Sequence, residues 1–326
     1  MTRFDILGIG NALLDVVAPV PDGFIDAHRL NRGTMTLIDA ERAEALYAAM
    51  PPGQETSGGS GANTAAVAAA LGARTAYLGQ VAADTLGQVF RHDITAAGVH
   101  FPVPALQGGQ PTGRCLIQVT PDGQRTMNTF LGASVAFGPA QLDRAALADS
   151  AIVYLEGYLF DPPAAQEAFR EASRIARAAG RQVALALSDP FCVERHRDAF
   201  LALLAEHVDI VFANEHEATS LYRTDGLQEA VRRLAASVSL AVVTRGEAGS
   251  LAVRGGEVVE VAAVPSTVVD TTGAGDAYAG GFLTALTRGL PLASCAGLGS
   301  VAAAEVISHY GARPQRDLSG ELASLG

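Results

Sequence analysis

At 326 residues, with a prior of about 150 residues per domain, the chain has room for two domains or for one large open α/β unit. A content of 49% hydrophobic and 17% charged residues is globular, and because all 23 basic residues are arginine, chemistry that needs a lysine amine is excluded: a Walker A loop, a protein-kinase lysine, a Schiff base. The 34 acidic residues bring the net charge to −11, and no run of arginines could track a nucleic-acid backbone, so a small molecule is the expected partner.

The chain opens with Met1-Thr2-Arg3-Phe4 and an apolar stretch broken by Asp5, Gly8, Gly10 and Asp15. That is too interrupted for a signal peptide or a membrane span, and a cytoplasmic protein is expected. Residues 12–38 hold short extended runs without a long helical pattern. Next comes Ser57-Gly58-Gly59-Ser60-Gly61-Ala62-Asn63-Thr64, a glycine-rich turn opening a helix that ends at Gly72. Asn63 would project from the first turn with an amide donor and acceptor for hydroxyls. Close packing of small side chains would give the same pattern.

Residues 114–120 and 124–130 flank Pro121-Asp122-Gly123, a hairpin signal. Beyond residue 150 the pattern becomes strand then helix: strands over 151–157, 182–188, 209–214 and 240–244, helices over 162–179 and 215–222. Polar residues close the carboxyl ends of these strands, where open α/β sheets bind ligands. A second hairpin about Gly255-Gly256 reads as a strand pair at the sheet edge. Cys115, Cys192 and Cys295 lie far apart and read as small core residues.

A strand ending near Val269 is expected to run into Asp270-Thr271-Thr272-Gly273-Ala274-Gly275-Asp276 and then a helix. The first N–H groups of a helix have no intrahelical partner, so Gly273, Ala274 and Gly275 can present a nest of donors to an anion. Ordinary turn residues followed by a first-turn carboxylate would look the same. The helix dipole should hold the Asp276 pKa down.

Together the two glycine-rich segments resemble the paired signatures of the ribokinase-like (PfkB) family of carbohydrate and nucleoside kinases, and the resemblance runs from Gly8-Ile9-Gly10-Asn11-Ala12-Leu13-Leu14-Asp15 to Gly311-Ala312. It implies an α/β fold, a central mostly parallel sheet flanked by helices, with residues 1–11, 39–98 and 135–326 as kinase core and 12–38 and 99–134 as a small β-lid. It implies phosphoryl transfer from ATP with Mg²⁺, Asp276 as base, and Gly273, Ala274 and Gly275 as anion hole. Arg125, in the hairpin segment 124–128, is placed by sequence to close over the transferring phosphate, or is a solvated strand arginine. Asn11, Asp15, Gly59 and Asn63 fall on the acceptor side, and Thr244 and Gly246 on the nucleotide side. Ser300 replaces an asparagine that faces the base in many members. Asn214 and Glu217 match an Asn-x-x-Glu element near Mg²⁺, reached through water, although Asn and Glu also cap and begin helices. Asp270 and Thr272 match positions that can help bind a monovalent cation such as K⁺.

Ribokinase-type sequences carry lysine where Ser60 stands, and the segments 10–15 and 58–60 are more similar to adenosine-phosphorylating members. The acceptor expected is therefore the 5′-hydroxyl of a nucleoside, adenosine first; a ribose or fructose kinase and a non-catalytic nucleoside-binding regulator are the alternatives. Met35, Leu37, Phe130 and Phe191 are candidates for an apolar slot for a base, or for core. A monomer or homodimer without membrane or nucleic-acid partners is expected.

Overall fold

A computed structural model describes residues 2–322. In chain order its strands are β1 (Phe4–Ile9), β2 (Leu13–Pro19), β3 (Met35–Leu37), β4 (Gln54–Gly58), β5 (Thr75–Leu78), β6 (Val99–His100) and β7 (Thr112–Val119). They continue as β8 (Arg125–Gly132), β9 (Ser150–Glu156), β10 (Gln182–Ala186), β11 (Ile210–Asn214), β12 (Leu240–Thr244), β13 (Ser250–Arg254) and β14 (Glu257–Val261). Nine form one sheet in the order β14-β13-β12-β11-β10-β9-β1-β5-β6. It is parallel from β12 to β6, with β13 and β14 as the antiparallel edge hairpin. The other five form a smaller sheet, β3-β8-β7-β2-β4.

Parallel strands covered on both faces read as near-continuous apolar runs, and these do through their middles, with polar residues such as Glu156, Asn214 and Thr244 at the carboxyl ends. Leu7, Val153, Leu185, Val211 and Val243 enter one core, while their neighbours Ile6, Ile152, Ala184, Ile210 and Val242 enter the other. The period-2 alternation of a strand thus feeds two helical layers. The helix Pro163–Ala178 shows how one layer forms. Proline at its first position supplies a pre-set φ where no hydrogen bond is lost, and the buried Ala165, Ala168, Phe169, Ala172 and Ala176 line one helical face. Gly180, at φ 69°, follows its end. Phe169 and Phe200 both pack on Phe160, with centroids 5.7 and 4.5 Å away. Burying a ring of this size stabilises the fold by about 1.5–3 kcal/mol.

The smaller sheet is the lid. Its cleft-facing positions alternate along the strands: Leu13 and Asp15, Cys115 and Ile117, Met127, Thr129 and Leu131, Met35 and Leu37. On the opposite face Val16 and Leu116 pack on Leu46 of the helix Ala40–Ala49. That helix and β4 therefore side with the lid, although residues 39–98 were expected in the core; Gln54-Glu55-Thr56-Ser57 carries no apolar alternation that would mark a strand. Val99 and His100, expected in the lid, extend the main sheet beside β5. Nor does a strand end near Val269. Residues 262–269 are irregular after β14, Pro265 has no N–H for a ladder, and the N–H groups of Val269 and Asp270 go instead to the Ile307 carbonyl. Among the described residues no helix is long and apolar enough to cross a membrane.

Candidate active site

Between the lid and the carboxyl ends of the parallel strands lies a cleft of ≈ 390 Å³. Two helices start on its floor. The first, Ser60–Ala70, follows β4 through Gly59, whose φ of 94° is open to glycine, and a Cβ there would stand 2.0 Å from the Asn11 carbonyl. The second, Ala274–Thr287, follows Gly273 at φ 76°, packed so closely on Ala312 that a Cβ would be 2.5 Å from the alanine Cβ. Gly275 differs: a Cβ there would meet no heavy atom within 4 Å, so the space before the turn is open cleft.

Asp276 joins the two helix starts. Its Oδ1 accepts from the Ser60 hydroxyl at 2.6 Å and its Oδ2 from the Asn63 amide at 3.0 Å. Burial raises its pKa, against the pull of these two hydrogen bonds and the charges of Arg125 and Arg313. The expectation of a depressed value fails because desolvation outweighs the helix dipole. With its amide nitrogen on Asp276, Asn63 keeps a buried Oδ1 without a partner. An orphaned acceptor lining a cleft is what a ligand hydroxyl would satisfy.

Asp15, on the lid strand β2, faces the same space. Burial first, and the nearby Asp276 and Asp270, push its carboxyl up to about 7, while Arg313 and the Gly59 N–H pull the other way. Asn11 also lines the cleft, but its side chain is engaged within the protein: Nδ2 donates to Glu156 at 2.8 Å and Oδ1 accepts from Ser134 at 2.9 Å.

Glu156, at the carboxyl end of β9, escaped the sequence reading. It is 1% exposed. Its carboxylate accepts from the Asn11 backbone at 3.2 Å, the Asn11 amide and the Gly61 backbone at 2.6 Å, and burial raises its pKa to about 7. The acidic end of an apolar strand was the signal. Tyr158, two residues on, also lines the cleft and was missed, as were Asp161 and Arg195, which pair across its rim at 3.1 Å.

Arg125 reaches from β8 to the Thr271 carbonyl at 2.5 Å, linking the lid to the second glycine turn. Asp270 shapes that turn: its Oδ1 accepts from the Thr272 N–H and hydroxyl at 2.9 and 2.6 Å, and its Oδ2 from the Gly311 N–H at 2.9 Å. Asn214 and Glu217 form a capping box on the helix Glu215–Tyr222 and also line the cleft. Burial raises Glu217 to about 7, with Asp189 and Asp276 adding to the effect. Thr244 and Gly246 line the cleft as well.

The remaining candidates divide between cleft and core or surface. Ser300 is buried in the helix Leu292–Val306, outside the cleft lining. Of the four apolar candidates, Met35 and Leu37 line the cleft; Phe130 is buried outside its lining, and Phe191 is 60% exposed. Cys115, Cys192 and Cys295 are buried and free.

Similar proteins have this architecture throughout. An adenosine kinase from Sinorhizobium meliloti is 50% identical, its crystal structure matching with a TM-score of 0.95 over 99% of this chain and 100% of its own. A probable sugar kinase from Rhizobium etli CFN 42 is 48% identical with a TM-score of 0.96 over 100% of both chains. Adenosine kinase 2 of Arabidopsis thaliana is 28% identical over 94% of each chain. Residues 34–317 match the pfkB family of carbohydrate kinases, and with the two glycine turns meeting at Asp276, this chain belongs to that family of phosphotransferases.

Proposed function

We propose that this kinase transfers the terminal phosphoryl group of ATP to the 5′-hydroxyl of a nucleoside, adenosine before others. The observation that carries the reading is the contrast between the two walls of the cleft. The floor holds Asp276 and the unpartnered Asn63 carbonyl; the lid lays Leu13, Met35, Leu37, Ile117, Met127 and Leu131 over it, with Tyr158 also on the lining. A free sugar has little apolar surface for such a lid. A purine base has two faces, whose burial contributes on the order of a few kcal/mol.

Nucleotide and Mg²⁺ fit the residues present. The open space before Gly275 admits an anion to the helix N–H groups. Among the described residues no three His, Cys, Asp or Glu side chains converge, so the chain offers Mg²⁺ single carboxylates such as Glu217, and phosphate oxygens and water fit the rest of its shell. Bound together, ATP and Mg²⁺ supply the phosphoryl group and its counter-charge.

The residues of the chain do the rest. Asp15 and Asn63 hold the ribose hydroxyls. Asp276, its carboxylate oriented by Ser60 and Asn63, accepts the proton of the attacking hydroxyl, and a raised pKa makes it a better base than an exposed aspartate. Gly273, Ala274 and Gly275 direct backbone N–H groups at the migrating charge, and Arg125 adds a cation from the lid. Closure of the lid excludes water that would otherwise compete as acceptor.

A screen of acceptors with purified protein, ATP and Mg²⁺ tests this. Adenosine should exceed ribose in kcat/KM by at least about a hundredfold, equivalent to roughly 2.7 kcal/mol of transition-state discrimination. The similarity to a probable sugar kinase supports a second reading. Higher kcat/KM with ribose or fructose would establish that reading and leave the kinase assignment standing.

A further inference from the structure

One of the chain's crossings between the lid and the core floor is the Gly58-Gly59 step. β4 ends at Gly58 and the Ser60–Ala70 helix begins two residues later. Asp15 is on the lid side of this junction and Asn63 on the core side, so any looseness between glycines would change the spacing of the two side chains that face an acceptor.

One guanidinium spans the junction. Arg313 Nη1 donates to the Ala62 carbonyl at 2.8 Å, in the first turn of the helix. Its Nη2 donates to the carbonyl of Ser57, on β4, and to the Ser57 hydroxyl at 3.0 Å. Ser57 is held from behind, its N–H and hydroxyl donating to Asp93 at 2.7 and 2.5 Å. The segment that delivers Arg313 is itself anchored to the other glycine turn, through the Gly311 N–H on Asp270 at 2.9 Å and Ala312 against Gly273. Residues 311–313 therefore touch both turns, and the Arg313 charge lies close enough to Asp15 and Asp276 to favour their ionised forms.

We propose that Arg313 is a positioning residue for the acceptor: its two-ended bridge from Ser57 to Ala62 fixes this crossing between lid and core and so sets the spacing of Asp15 and Asn63. It lies outside the residues lining the cleft and acts through the turn it holds. The proposal rests on reading that turn as the acceptor side.

The test is steady-state kinetics of Arg313→Gln and Arg313→Lys with adenosine and ATP varied in turn. Arg313→Gln should raise the adenosine KM about tenfold with the ATP KM within about twofold of wild type. Lysine keeps the charge, but one nitrogen cannot span two carbonyls as a planar fork does, so Arg313→Lys should raise the adenosine KM about threefold, again without moving that for ATP. Should Arg313→Gln not fold, Arg313→Lys carries the same comparison. An unchanged adenosine KM in Arg313→Lys, or a parallel rise for both substrates in either variant, would overturn the proposal. Wild-type turnover of adenosine separates this from the acceptor reading. If the screen selects another acceptor, the same ratios are measured with that compound.

Discussion

The two glycine-rich turns look alike as sequence and differ as structure. In 57–63 the glycines make room for protein: Gly59 has the Asn11 carbonyl where a side chain would stand. In 270–276 the tight glycine is Gly273, on Ala312, while Gly275 looks into open cleft. One turn is packed to hold groups still, and the other leaves a gap that a ligand can fill. Glycine in a motif therefore has two meanings, close approach within the fold and clearance for something outside it, and spacing alone does not tell them apart.

The largest test of this contrast is at the residue the turns share. Asp276→Asn should lower kcat by about two to four orders of magnitude, the range for a lost general base, with adenosine KM and thermal midpoint nearly unchanged. A folded variant with near wild-type turnover would remove Asp276 from the chemistry.

Next come the glycines themselves. Gly59→Ala forces a non-glycine residue to φ 94° against a carbonyl 2.0 Å away, so unfolding free energy in urea should fall by roughly 1–3 kcal/mol or more and acceptor binding with it. Gly275→Ala meets nothing in the protein. It should leave stability equal or higher by up to about 1 kcal/mol, since alanine is the better helix former, while raising the KM for ATP. Equal destabilisation by both substitutions would erase the distinction.

The smallest expected effect concerns the carboxylate beneath the packed turn. Glu156 has its pKa raised to about 7 by burial, so the folded state holds a proton there that the unfolded chain releases near its ordinary carboxylate value. The resulting stability is present at low pH and lost as pH rises through about 7. Denaturation midpoints between about pH 4 and 7 should fall more steeply for wild type than for Glu156→Gln, which cannot titrate. Parallel curves would show that the carboxyl is ionised throughout.

What the sequence disclosed follows the range of the interaction. The helix 215–222 and the strand 240–244 were legible to the residue because their patterns and caps are local. The places of Asp276, Asn63 and the glycines at the starts of their helices were legible for the same reason, each sitting within a short motif. The side assigned to Gln54–Gly58 was not, because its place in the lid is set by pairing with β2 and its own side chains are polar. Glu156 and Arg313 were hidden for a related reason. Their partners lie 95 to 256 residues away in sequence, and nothing near a lone acid or arginine shows where the chain will return. Asp276 exposes the limit of motif reasoning: its position near a helix start was visible, but the burial that reverses its pKa shift belongs to the assembled cleft.

The Glu156 carboxylate ties Asn11 and Gly61 together across sequence separations of 145 and 95 residues. Such contacts form only after large loops have closed, and loop closure is what slows folding in proteins dominated by distant pairings. The helices, whose bonds are local, can form far sooner. On refolding from denaturant, helical circular dichroism should therefore return ahead of phosphotransfer activity, and the interval between them is the time the chain takes to bring two remote segments onto one carboxylate.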